Sequence, residues 1–113
     1  MRELLYFEPR APLPRDYLAS INPRDLEHID EKIRVLCNTP VSDWGYKWCK
    51  ILEDSIRQMR HGDHRVLFFA TERRVVIVHA CRKKGPTIAR KDLTLALERM
   101  HEYQEAERTG DRK

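Results

Sequence analysis

Two apolar runs decide most of what this chain can fold into. Val66–Ala70 and Val75–Val78 are separated only by the polar stretch Thr71-Glu72-Arg73-Arg74. Runs this short, rich in β-branched and aromatic residues and joined by a polar turn, predict two adjacent antiparallel strands. His61-Gly62-Asp63 just upstream reads as another turn, so a third strand is expected from Ser55 to Arg60. Gly85-Pro86 ends the sheet. The centre of the fold is therefore a three-stranded meander.

The remaining elements follow from punctuation and periodicity. Leu4-Leu5-Tyr6-Phe7 predicts a short strand, stopped by Glu8-Pro9, and Pro9, Pro12 and Pro14 break the chain into a loop. Leu13, Tyr17, Leu18 and Ile21 recur at helical spacing and predict a short helix over Pro14–Ser20. Asn22-Pro23 restarts a helix, because Asn caps through its side-chain oxygen and Pro at the first helical position sacrifices no useful N–H. Asp25 adds charge that suits the helix dipole. Leu26, Ile29, Ile33 and Leu36 mark the buried face as far as Cys37, where Asn38-Thr39-Pro40 stops it; Val41–Tyr46 reads as loop. Thr87 is the expected cap of a last helix burying Leu93, Ala96, Leu97, Met100 and Tyr103, and the charged tail is expected to fray from about Ala106. The prediction is one α+β domain over 1–113: an antiparallel twisted sheet, made of the short N-terminal strand plus the meander, packed by two N-terminal helices and one C-terminal helix.

Charge is unevenly distributed. Ser55–Asp92 holds ten Lys or Arg against three acids, a net +7, whereas the rest carries −3, giving +4 in all. A localised field of one sign is the footprint of a polyanion partner, and nucleic acid is the obvious one. The longest wholly apolar run is five residues, far from the ~20 of a membrane span, so no membrane partner is expected. Met1-Arg2-Glu3-Leu4 lacks the apolar core of a signal peptide. Cys37, Cys49 and Cys81 are odd in number without CxxC spacing, as for reduced thiols in a cytoplasm.

In this order and with these residues, the chain resembles the RelE/ParE superfamily of bacterial toxins, in particular the HigB-like branch of type II toxin–antitoxin modules. Trp48–Arg60 (WCKILEDSIRQMR) is similar to the family segment that enters the central strand and ends in a basic residue. Gly62–Phe69 resembles its G-x-x-R-hydrophobic strand, with His64 where the family commonly has Tyr. Val75–Lys84 (VVIVHACRKK) resembles the next strand, which runs into a basic cluster, and Thr87–Tyr103 the closing helix. The resemblance covers roughly residues 3–105. It implies a toxin that cuts mRNA on the translating ribosome and arrests growth. It also implies a neighbouring helix-turn-helix antitoxin, and operator DNA as a partner only through that complex. ParE-like members instead poison DNA gyrase, so a non-nuclease toxin or an antitoxin- and nucleic-acid-binding module is the alternative.

Cleavage through a 2′-hydroxyl needs a base, a donor for the departing 5′-oxygen and positive charge on the phosphate; it needs no metal or other cofactor. By resemblance, Arg65 is the strand arginine on the concave face of the sheet, and Arg82 or Lys83 the basic residue ending the next strand. Arg57, Arg60, Lys84, Arg90 and Lys91 extend the RNA-binding patch. Some RelE-type toxins use a tyrosine after the last strand, and none lies between Val75 and Met100. The base is therefore left between His61, His64 and the Lys83–Lys84 pair, with Tyr103 too far along the final helix. Simpler readings stand beside these. Arg65 and Arg74 suit solvent-facing strand positions that protect edges, and His61 and His64 suit a turn. Trp44, Tyr46 and Trp48 suit core, partner-surface or base-stacking roles, with an antitoxin groove around Trp44–Trp48. His61, His64 and His79-x-Cys81 match no strong zinc spacing.

Overall fold

The computed structural model describes residues 1–44 and 49–110. Strand β1 is Glu3–Tyr6; helices α1 and α2 are Pro14–Ala19 and Pro23–Cys37. A 3-10 turn at Val41–Asp43 follows, then strands β2 (Cys49–Glu53), β3 (Ile56–His61), β4 (His64–Ala70) and β5 (Arg74–Arg82), and helix α3 (Arg90–Thr109). The α+β class, the meander and all three helices are as expected from the sequence.

The sheet differs in two details. It has five strands in the order β1-β5-β4-β3-β2. The extra one, β2, pairs antiparallel with β3 from Cys49↔Met59 to Glu53↔Ile56. Its Ile51 is 54% exposed at the sheet edge, so it has no alternation for a sequence pattern to catch. Strand β1 runs parallel to β5, Glu3↔Arg74 through Tyr6↔Ile77, which makes the sheet mixed rather than antiparallel. The helices cover both of its faces. Under α1 and α2 lie Met59, Val66, Phe68, Val75 and Ile77 with Ile29, Ile33 and Leu36. Under α3 lie Ile56, Leu67, Phe69, Val76 and Val78 with Leu93, Ala96, Met100 and Tyr103. Unbroken apolar runs require this, because every residue from Val66 to Phe69 is at most 1% exposed. A strand covered on one side only would leave alternate residues in water, at roughly 1.5–3 kcal/mol for each large side chain.

Caps and ends follow local chemistry. The Asn22 side chain accepts from Arg24 N–H at 2.8 Å, as predicted. Thr87 does not cap α3: the N-cap is Ala89, without a side-chain bond, and the helix runs past Ala106 to Thr109, ending at Gly110 with φ 77°. Gly62 at φ 60° makes the β3–β4 turn. Arg74 is not a free surface charge, since it donates to the Tyr103 hydroxyl at 2.9 Å and meets Glu3 and Glu107. Trp44 is buried against Phe68, with Arg2 and Arg57 over its ring. Tyr46, Trp48 and most of the groove expected around them lie outside the described residues.

Packing also sets an alkaline limit. Burial, followed by the nearby Asp30 carboxylate, pushes the Tyr6 phenol up to about 12. The unfolded chain ionises at about pH 10, so this tyrosine favours folding below pH 10. That contribution is lost as pH rises from 10 to 12, and it amounts to roughly 2–3 kcal/mol. Thermal melts across this range should show Tyr6→Phe with a flatter alkaline limb than wild type; an unchanged limb would mean that Tyr6 ionises normally in the fold.

Candidate functional site

The β3–β4 turn, the end of β5 and the first turns of α1 and α2 meet at one end of the sheet. On β4, His64, Val66 and Phe68 face α1 and α2, whereas Arg65, Leu67 and Phe69 face α3. His64 is 5% exposed. Its Nδ1 lies 2.7 Å from the Tyr17 hydroxyl of α1, and its Nε2 lies 3.3 Å from Asp25 Oδ2 of α2. The other Asp25 oxygen is 3.2 Å from His61 Nε2, and His61 Nδ1 is 3.4 Å from Lys32 Nζ.

The partners assign the protons. Lys32 can only donate, so His61 Nδ1 accepts and its Nε2–H points to Asp25. Asp25 as a carboxylate only accepts, so His64 donates from Nε2, and in its neutral form it accepts the Tyr17 O–H at Nδ1. Desolvation alone would raise the Asp25 carboxyl, but hydrogen bonds from His61 and His64, and their charge, together hold it below the usual range. The His64 ring therefore links the Tyr17 hydroxyl to the Asp25 carboxylate. Burial raises the Tyr17 phenol, with Arg82 pulling the other way, so the hydroxyl keeps its proton at neutral pH.

Tyr17 also lines an open groove of about 750 Å³ whose other walls are Ala80–Arg82 and the segment from Lys84 to Asp92. Four basic residues border it: Arg82, Lys84, Arg90 and Lys91. Arg82 is half exposed and only loosely held by Asp63 at 3.8 Å. Arg90 is tied to Glu53 at 2.8 Å. Lys83 is outside the lining, and its backbone N–H donates to Asp63 O at 2.8 Å, pinning the end of β5 to the turn.

The predicted site residues thus divide. Arg82, Lys84, Arg90 and Lys91 come together around the groove, and His64 reaches it through Tyr17. Arg65 pairs with Cys81 in register while His64 pairs with Arg82, so Arg65 lies on the opposite, α3 side of the sheet. It is 4% exposed, and its Nη1 donates to Gly62 O at 2.7 Å and His64 O at 2.9 Å. Burial, then Arg60, lowers its pKa. Arg60 is exposed and paired with Arg65 in register. Arg57 sits at the other end of the sheet, over Trp44 at 5.1 Å.

Sequence reasoning missed Tyr17 and Asp25 as site residues. Both had sufficient local explanations, a buried helix face for one and a helix dipole for the other. Their common partner, His64, is 47 and 39 positions away, beyond any linear spacing.

Residues 16–101 match the family described as Phage derived protein Gp49-like (DUF891), and the chain belongs to that family. The family is RelE-related and toxin-like, so the chain is a toxin-like module whose general kind of partner is an antitoxin. No curated protein matches the sequence. Among the described residues, no helix is long and apolar enough to cross a membrane.

Proposed function

We propose that this Gp49-like chain is the toxin of a type II module, of the HigB-like kind, which cuts mRNA on the translating ribosome and is neutralised by a helix-turn-helix antitoxin. The observation that carries this reading is the Tyr17 hydroxyl at the wall of a basic groove, bonded to His64, which is bonded in turn to Asp25. Such a chain can take up a proton, which a pure binding surface does not require. In the proposed step the 2′-hydroxyl gives its proton to the Tyr17 oxygen as the Tyr17 proton passes to His64 Nδ1, and the imidazolium is stabilised by Asp25. The 2′-oxygen bonds to phosphorus and the 5′-oxygen leaves, protonated by a lysine of the groove, Lys84 or Lys91. Arg82, planar and permanently charged, takes the phosphate oxygens. Lys83 and Arg90 hold the loop that carries this charge, and Arg65 holds the β3–β4 turn that carries His64.

Induced expression in bacteria followed by primer extension on abundant messages tests the reading. New 5′ ends inside translated codons are expected, strongly reduced in Arg82→Ala, whose side chain is half exposed and costs the fold little. Message binding should also weaken steeply with added salt, since the affinity comes from phosphate contacts. Growth arrest with intact messages would point instead to a gyrase-type toxin, and absence of arrest to a binding module.

A further inference from the structure

On the α3 side of the sheet, three unlike donors converge outside the proposed relay. His79 and Cys81 are two apart on β5, and Asp92 is in the first turn of α3. One potential ligand atom from each lies within 4.8 Å of the others, the one such group of three or more among the described residues. The fold makes this cluster through a bulge. Leu67 pairs with His79 and Phe68 with Ile77, so Val78 is the extra residue. Val78 packs under α3 while the next residue, His79, bonds Asp92 of α3 at 2.7 Å through Nε2.

From this convergence we infer that His79, Cys81 and Asp92 form a binding site for a zinc-class divalent metal ion, with a fourth position open to solvent. Nitrogen, sulfur and carboxylate oxygen from three residues suit a borderline-soft dication, and three protein ligands plus water is a common zinc arrangement. Tetrahedral zinc with its usual bond lengths holds such donors about 3.4–3.6 Å apart. The His79–Asp92 pair must therefore open by less than about 1 Å, a side-chain adjustment.

Access and charge fit as well. His79 and Asp92 line one groove of about 500 Å³, and Cys81 and Asp92 line the basic groove, so an ion has a route and room for water. His79 Nδ1 is buried without a hydrogen-bond partner. The tautomer that frees Nε2 for a metal places its proton there, at a cost that metal binding must offset. Burial and then Asp92 push the Cys81 thiol up to about 12, with Arg65 and Lys91 pulling the other way, so the ion must displace a firmly held proton beside two cations. Binding releases the thiol proton to solvent, and the thiolate and the Asp92 carboxylate then offset the ion's own two charges. The metal takes no part in the cleavage step proposed above; it clamps β5 to the start of α3.

The test is a titration of the full-length reduced chain with Co²⁺ as spectroscopic probe, and with Zn²⁺ as competitor. One equivalent should give thiolate-to-cobalt charge-transfer absorption, removed by Zn²⁺. The band should be lost in Cys81→Ser and weakened at least tenfold in apparent affinity in Asp92→Asn, both checked for folding by circular dichroism, and retained in Cys37→Ser. Zn²⁺ should also raise the melting temperature of wild type and leave that of Cys81→Ser unmoved. A folded wild type without the band overturns the inference, as does a band that survives Cys81→Ser. If Cys81→Ser does not fold, Asp92→Asn decides: unchanged cobalt affinity there overturns the site.

Discussion

Tyr17→Phe should remain folded and lose nearly all message cleavage. The substitution deletes one oxygen from a partly buried ring and leaves His64 Nδ1 without its 2.7 Å partner, a stability cost of about 1 kcal/mol. The kinetic cost is much larger. If the hydroxyl relays the 2′-proton to His64, losing it removes a positioned proton acceptor, which is worth about 10²–10⁴ in rate. Single-turnover cleavage on programmed ribosomes is the direct measurement, with primer extension in cells as the coarse one. His64→Gln should fall nearly as far, because the amide cannot take a full proton. Asp25→Asn should fall less, since His64 keeps its place but loses the charge that stabilises it when protonated. The double variant Tyr17→Phe/His64→Gln should be no worse than the more damaged single one, because residues that move one proton act as a unit. Wild-type rates in Tyr17→Phe would remove the relay from the mechanism and leave the lysines of the groove as the base.

How much of this was legible beforehand depends on the scale over which each feature is built. The meander was legible because Val66–Ala70 and Val75–Val78 announce themselves within a dozen residues. Helix α2 was legible because Asn22-Pro23 and the Leu26–Leu36 spacing are local. The two-sided cover of the sheet was implicit in the same runs, since four consecutive buried residues on β4 need partners on both faces. Strand β2 was not legible, because an exposed edge strand has weak alternation, and β1 gives no sign of which neighbour it pairs with or in which direction. The basic half of the site could be read as composition, with Arg82, Lys84, Arg90 and Lys91 near one another along the chain. Its other half could not, because Tyr17 and Asp25 become a site only when the β3–β4 turn brings His64 to them. The metal-ligand cluster is alike: His79-x-Cys81 is visible as a pair, and Asp92 joins it only through the packing of α3 on β5.

Arg65 makes the same point about a residue that resemblance had put at the centre of the chemistry. Its guanidinium is buried on the side of the sheet away from Tyr17, holding the carbonyls of Gly62 and His64. Arg65→Ala should therefore abolish activity by undoing the turn that presents His64. Truncation removes two charge-assisted hydrogen bonds to the Gly62 and His64 carbonyls and empties a buried volume; together these cost roughly 3–5 kcal/mol. For a domain of this size that lowers the melting temperature by about 10–20 °C. Arg82→Ala, half exposed and loosely paired, should lose cleavage with a melting temperature within a few degrees of wild type. Measuring stability beside activity for the two variants separates the roles: Arg65 positions the turn, and Arg82 meets the phosphate. Arg65→Met sharpens the comparison, since it refills most of the volume without restoring the hydrogen bonds. It should recover part of the stability and little of the activity, because the two bonds that tie the turn to Arg65 are not restored. An Arg65→Ala protein as stable as wild type but inactive would reverse the assignment and return this arginine to the reacting phosphate.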